Sequence, residues 1–133
     1  MKLYTVLLVL GMFLSQDSFC QFSGTLKKFI SLTATTTVYK TNVKKDFNDK
    51  RIITVDIINN KISLSPMQQF GNFNIVSKEE FTHTDGHYLI RFKCKDDFGI
   101  ECICWLSSEG KSYFFRTEYN DFSIYYFISK EIK

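Results

Sequence analysis

Proline is nearly missing from this chain: Pro66 stands alone among 133 residues, and glycine occurs only six times. That scarcity excludes collagen-like repeats and the Pro- and Gly-rich tracts that stay unfolded. Histidine is limited to His83 and His87. The sequence holds no zinc-ligand spacing, no phosphate-cradling Gly-rich loop, no dinucleotide fingerprint and no N-glycosylation sequon. No helical period persists beyond a turn or two, which argues against an amphipathic helix of any length. The formal net charge is +3, too slight to direct the chain to nucleic acid or to an anionic membrane.

Long apolar runs are also scarce, and the one present lies at the start. Lys2 precedes an apolar stretch from Leu3 to Leu14, and Ser18-Phe19-Cys20 then leads to Gln21. A positive end, a short apolar core and small residues near a cleavage point read as a secretory signal peptide. The run is shorter than the ~20 residues of a membrane span, and no later stretch reaches that length, so no span is expected in the mature chain. A lipidated Cys20 would need a small residue at Phe19 and a Leu-like residue at Asp17, so cleavage before Gln21 is preferred. The expected organisation is a signal peptide over 1–20, a flexible leader over 21–28 and a single domain over 29–133. The destination is secreted or periplasmic.

What the chain does have is period-two alternation. Tyr88, Ile90, Phe92 and Cys94 alternate with Leu89, Arg91 and Lys93, the pattern of a half-buried strand. The run from Ile100 to Leu106 alternates likewise, and Asp96-Asp97-Phe98-Gly99 between them predicts a three-residue loop with a Gly bulge. That turn sets Lys95 opposite Glu101, Arg91 opposite Trp105 and Cys94 opposite Cys102. Glu109-Gly110 is expected to link Leu106 to a strand through Phe115, pairing Trp105 with Phe114. Asn120-Asp121 then sets Phe115 against Tyr126 and Phe114 against Phe127.

Earlier in the chain, Thr-rich residues 29–41 favour a strand and residues 43–49 read as a polar loop. A hairpin around Asn59-Asn60 pairs Ile57 with Ile62 and Val55 with Leu64. Pro66 ends that strand. Asp85-Gly86 predicts a further hairpin with Phe81 opposite Ile90. The fold class that follows is all-β: one antiparallel meander of seven or eight strands forming a barrel or a two-layer sandwich.

Alternation assigns Tyr88, Ile90, Phe92, Ile100, Leu106, Tyr113, Phe115, Phe122, Ile124, Tyr126 and Ile128 to the core. On the reverse face, one cross-strand row reads Arg91, Trp105, Phe114, Phe127 and the next reads Lys93, Ile103, Arg116, Tyr125. Aromatics flanked by cations are the composition of a partner-binding face. The candidate binding residues are therefore Arg91, Lys93, Trp105, Phe114, Arg116, Tyr125 and Phe127, unless a second layer covers them. A protein, a peptide or a glycan suits such a face better than single-stranded nucleic acid does.

Three of the four cysteines follow the signal peptide, an odd number for an exported protein. Cys94 and Cys102 form the candidate disulfide, with three buried thiols as the alternative. The spacing Cys102-x-Cys104 also admits a soft-metal or redox site if further ligands converge. His87 lies seven residues from Cys94, over ~20 Å along a strand, which separates base from nucleophile. Asp85, Asp96, Asp97, Glu109 and Asp121 have turn-forming reasons for their positions. No catalytic residue, cofactor or resident metal is assigned, and an enzyme is disfavoured.

The signal ending before Gln21, the stretch Cys94-Lys95-Asp96-Asp97-Phe98-Gly99, the Cys102 run and the closing residues Glu118 to Tyr126 carry a resemblance. Together they resemble small exported all-β proteins of Bacteroidetes-type bacteria, a group with no known activity. The resemblance implies an extracytoplasmic β domain and transfers no catalytic residue. The expected function is a non-enzymatic binding or interaction domain. The alternative is a lipocalin-like barrel carrying a small apolar ligand inside.

Overall fold

The computed structural model describes residues 26–66, 71–82, 84, 87–109 and 112–132. The expected signal peptide, most of the expected leader, His83, and Asp85, Gly86 and Gly110 of the expected turns lie outside them. Eight strands follow one another: β1 (Leu26–Val38), β2 (Val43–Asp56), β3 (Lys61–Ser65), β4 (Asn72–Thr82), β5 (Tyr88–Asp96), β6 (Glu101–Glu109), β7 (Ser112–Glu118) and β8 (Phe122–Ile132). Each pairs antiparallel with the next and β8 returns to β1, so the meander closes into a barrel. Leu26, Lys27 and Lys28, expected in the leader, already belong to β1.

Period-two alternation turns one set of side chains inward. Phe29, Ile53, Val55, Ile62, Leu64, Phe73, Ile90, Phe92, Leu106, Phe115 and Tyr126 are buried in one cluster, with Tyr88, Tyr113, Phe122, Ile124 and Ile128 packed partly against it. Ile100, expected inside, is 50% exposed because it closes the β5–β6 turn before alternation resumes. That turn has the predicted form. Gly99 adopts φ +76° and its N–H donates to Asp96 O, while Asp96 N–H donates to Ile100 O.

The Asp96 carboxylate anchors this turn from inside the barrel. It is 3% exposed, and its Oδ1 accepts from the N–H groups of Phe98 and Ile100, both at 2.9 Å. Its Oδ2 accepts from the Tyr119 hydroxyl at 2.9 Å, which ties the turn to the end of β7. Lys95–Glu101, Arg91–Trp105 and Cys94–Cys102 then face each other as predicted.

Elsewhere the ladders depart from the sequence reading by identifiable shifts. Val55 pairs with Ile62 and Ile53 with Leu64, two positions from expectation, because Ile57–Asn60 forms a four-residue turn with Asn60 at φ 53°. A shift of two preserves the faces. Phe81 opposes Leu89 rather than Ile90. An irregularity between Ile75 and Ser77 reverses the alternation along β4, so Phe81 points outward instead of into the core. A similar irregularity between Ser31 and Thr33 leaves Leu32 of β1 exposed and without a ladder partner, and explains the weak alternation there.

Residues 43–49, expected as a loop, are the first half of β2, after a turn in which Asn42 adopts φ 53°. Their polarity follows from their position. β3 is short and pairs with β2 only from Ile52 to Asp56 and with β4 only from Asn72 to Asn74. The first half of β2 therefore pairs with β1 alone, and β4 beyond Asn74 with β5 alone, among the described residues. Lys44, Lys45, Asp46, Lys78, Glu79 and Glu80 line these one-sided segments, the charged dressing that keeps a strand edge from recruiting another chain.

The Asp96 anchor sets a measurable cost. Asp96→Ala leaves two turn N–H groups and the Tyr119 hydroxyl without their acceptor and is expected to lower stability by about 3 kcal/mol. Asp97→Ala, one residue on and exposed, is expected to cost about 0.5 kcal/mol or less. Urea unfolding of both variants measures the difference.

Candidate functional site

The outward residues of β4 to β8 form two adjacent rows across the barrel. One row reads Glu79, Arg91, Trp105, Arg116, Tyr125, and the other Phe81, Leu89, Ser107, Phe114, Phe127. These differ from the expected rows. Glu109 pairs with Ser112, so the β6–β7 ladder sits two positions from expectation, and Trp105 meets Arg116 while Phe114 meets Ser107. The β7–β8 ladder is as predicted, with Phe114 opposite Phe127 and Phe115 opposite Tyr126.

The shift gives Trp105 a second arginine. Arg91 reaches it from β5 and Arg116 from β7, with guanidinium carbons 5.7 and 5.5 Å from the ring centroid. Each such contact contributes about 0.5–1 kcal/mol at a partly exposed site. Both arginines also hold carboxylates, Arg91 to Glu79 at 3.4 Å and Arg116 to Glu118 at 3.0 Å. Beside this stack, Phe114, Tyr125 and Phe127 form a trio, with ring centroids 5.6 Å apart for Phe114–Tyr125, 6.3 Å for Phe114–Phe127 and 4.9 Å for Tyr125–Phe127. Phe127 is 44% exposed.

A groove of about 270 Å³ opens where the two rows meet, lined by Leu89, Trp105, Ser107, Phe114, Arg116 and Tyr125. Ser107 makes the depression: it is the one small side chain in a row otherwise built of Phe81, Leu89, Phe114 and Phe127. Two lining side chains carry buried nitrogens with no hydrogen-bond partner among the described residues, Trp105 Nε1 and Arg116 Nε. A buried donor left in that state costs about 1–3 kcal/mol.

Of the expected site residues, Arg91, Trp105, Phe114, Arg116, Tyr125 and Phe127 come together here. Lys93 lies one row further along β5, opposite Ser77 and Ile103, at a separate depression shared with Glu101, Glu118 and Asn120. Leu89 and Ser107 were not singled out from the sequence. Both stand at outward positions of the alternation, and an apolar Leu at an outward position was the available signal.

The cysteines lie inside. Cys94, Cys102 and Cys104 are free and buried, so the candidate Cys94–Cys102 disulfide is not formed although the two residues are opposed. Burial pushes the Cys104 thiol well above its usual range, and contacts with the Cys102 and Cys94 thiols add to this. The neighbouring Cys104 thiol, helped by the Tyr119 hydroxyl, holds Cys102 below the ordinary thiol range. Burial and the hydrogen bond to Asp96 drive the Tyr119 hydroxyl upward. No cluster of three or more His, Cys, Asp or Glu suited to a metal ion occurs among the described residues.

Searches against protein-family models, curated proteins and solved structures return no match for this chain. The site is therefore read from its own geometry.

The thiol cluster predicts an order of reactivity, since thiolate fraction and access control alkylation. In the folded protein Cys102 is expected to react first with iodoacetamide and Cys104 last, with full modification only after unfolding. Peptide mass mapping over a time course checks the order.

Proposed function

We propose that this chain is an exported, non-enzymatic binding domain that works by contact through the outer face of β5 to β8. The observation that carries this reading is the half-buried Arg91–Trp105–Arg116 stack beside the Phe114, Tyr125 and Phe127 trio. Large aromatics and arginine are the side chains most enriched at the centre of recognition surfaces. They are not needed outside to complete the core, because the barrel interior has its own separate filling. The signal peptide read from residues 1–20 supports delivery to the periplasm or the exterior, where a protein, a peptide or a glycan is the partner.

Carriage of a small apolar ligand inside the barrel, as in lipocalin-like proteins, has less support. Phe29, Phe73, Phe92 and Phe115 are fully buried and occupy the interior together with Ile53, Leu64 and Leu106. An interior carrier leaves a cavity where these side chains stand.

Peptide and glycan arrays test the face with defined ligands. Trp105→Ser combined with Phe114→Ser is expected to weaken wild-type binding at least about tenfold, the loss of one buried aromatic anchor. Phe127→Ser, at an exposed position, provides a second variant that keeps the fold. Retained binding by both variants, with unchanged thermal midpoints, overturns the reading.

A further inference from the structure

We propose that Cys102 is a peroxide-reactive thiol at one end of the barrel and that Cys94 resolves it, so that β5 and β6 interconvert between a dithiol and a disulfide form. This goes beyond the contact-surface reading and does not rest on it.

The three described cysteines are gathered in one place. Cys94 and Cys102 oppose each other across the β5–β6 ladder, and the Cys104 thiol touches both of theirs. A free Cys packs as a small hydrophobe, and its reactivity is what sets it apart from the other residues that could fill such a position. Depth orders the three. Cys102 is the second residue of β6 after the β5–β6 turn and is 4% exposed, against 1% for Cys94 and 0% for Cys104. Together with Tyr119, Cys102 also lines the depression of about 160 Å³ that holds Lys93. An oxidant arriving at this end meets Cys102 first, and so small an opening admits one near the size of water. The Cys104 thiol and the Tyr119 hydroxyl favour the Cys102 thiolate, the form that attacks.

Backbone geometry selects the partner. Opposed residues of an antiparallel pair hold their Cα atoms about 4.5–5.5 Å apart, inside the roughly 4.4–6.8 Å that a disulfide spans. Cys104 stands about 6.6 Å along the strand from Cys102, at the limit of that span, and lies diagonal to Cys94 at about 7–8 Å, beyond it. The Cys94–Cys102 bridge is the one that forms without moving a strand. Opposed strand positions hold their Cβ atoms slightly wider than a bridge prefers, which keeps the bond open to reduction.

The oxidant is a small hydroperoxide. The Cys102 thiolate attacks the terminal peroxide oxygen, the O–O bond breaks, Cys102 becomes a sulfenic acid and the alkoxide or hydroxide leaves with a proton. The Cys94 sulfur then attacks the sulfenic sulfur, the S–O bond breaks, and hydroxide leaves with the Cys94 proton as water. Two thiols lose two electrons in all, and the peroxide gains them. A small dithiol reverses the bridge by thiol–disulfide exchange.

Hydrogen peroxide added to the folded mature chain, residues 21–133, tests this by non-reducing peptide mapping. The expected product is an intramolecular Cys94–Cys102 bridge with Cys104 still a thiol, reversed by dithiothreitol. Cys102→Ser is expected to slow peroxide-dependent thiol loss at least about tenfold. Cys94→Ser combined with Cys104→Ser leaves no resolving thiol, and dimedone is expected to capture the sulfenic acid on Cys102. A bridge through Cys104 in the wild-type chain overturns the pairing, and a folded double variant without the dimedone adduct overturns Cys102 as the attacking thiol. Equal oxidation by glutathione disulfide overturns the choice of peroxide. Thiols that react in urea but never in the folded chain overturn the site altogether, and that result comes from the wild-type protein without any variant. The array experiment, run on reduced protein, reads the contact face separately.

Discussion

A carboxylate buried inside the barrel governs what the outside can do. Asp96 gathers two turn amides and the Tyr119 hydroxyl, and this one polar cluster holds the β5–β6 turn in a single conformation. Because side chains alternate with a period of two, a slip of one residue at that turn would turn the core face of one of the two strands outward. Either Phe92 would change places with Lys93, or Cys104 with Trp105. Apolar packing alone discriminates against that slip, and the satisfied carboxylate adds a directional reason. A polar group so deeply placed is tolerable only because its oxygens are hydrogen-bonded.

With the register held, the interior and exterior separate into two kinds of aromatic residue. Phe29, Phe73, Phe92 and Phe115 complete the core, where burial of apolar surface stabilises the fold. Trp105, Phe114, Tyr125 and Phe127 remain outside, where they touch one another and two arginines. Closure of the meander removes most strand edges. Where the short β3 leaves β2 and β4 paired on one side only, charged residues occupy the segment. The molecule thus presents two unlike surfaces, a charged one around β2 and β4 and an aromatic and cationic one over β5 to β8.

Much of this was legible in the residues, and the exceptions have local causes. Asp96-Asp97-Phe98-Gly99 and Asn120-Asp121 specify their turns closely enough that the β5–β6 and β7–β8 ladders match the sequence reading residue by residue. The β6–β7 ladder is displaced because Glu109 extends the strand instead of entering the turn. That displacement rearranged the candidate face without changing which residues belong to the outer side, and it brought Arg116 to Trp105. Phe81 departs from its expected place because an irregularity at Val76 reverses the alternation, and nothing in Ile75-Val76-Ser77 announces it. The first half of β2 looked like a loop because a strand paired on one side has no reason to be apolar. The disulfide between Cys94 and Cys102 followed from correct opposition, yet the barrel encloses both as thiols.

The binding face depends on Trp105 standing outside the barrel between two guanidinium groups, on the face opposite Phe92 and Phe115. Nuclear Overhauser contacts from the Trp105 ring protons measure this most directly. Contacts to the side chains of Arg91 and Arg116 are the predicted result. Contacts to Phe92 or Phe115 would place the indole in the core and leave the outer face without its central aromatic.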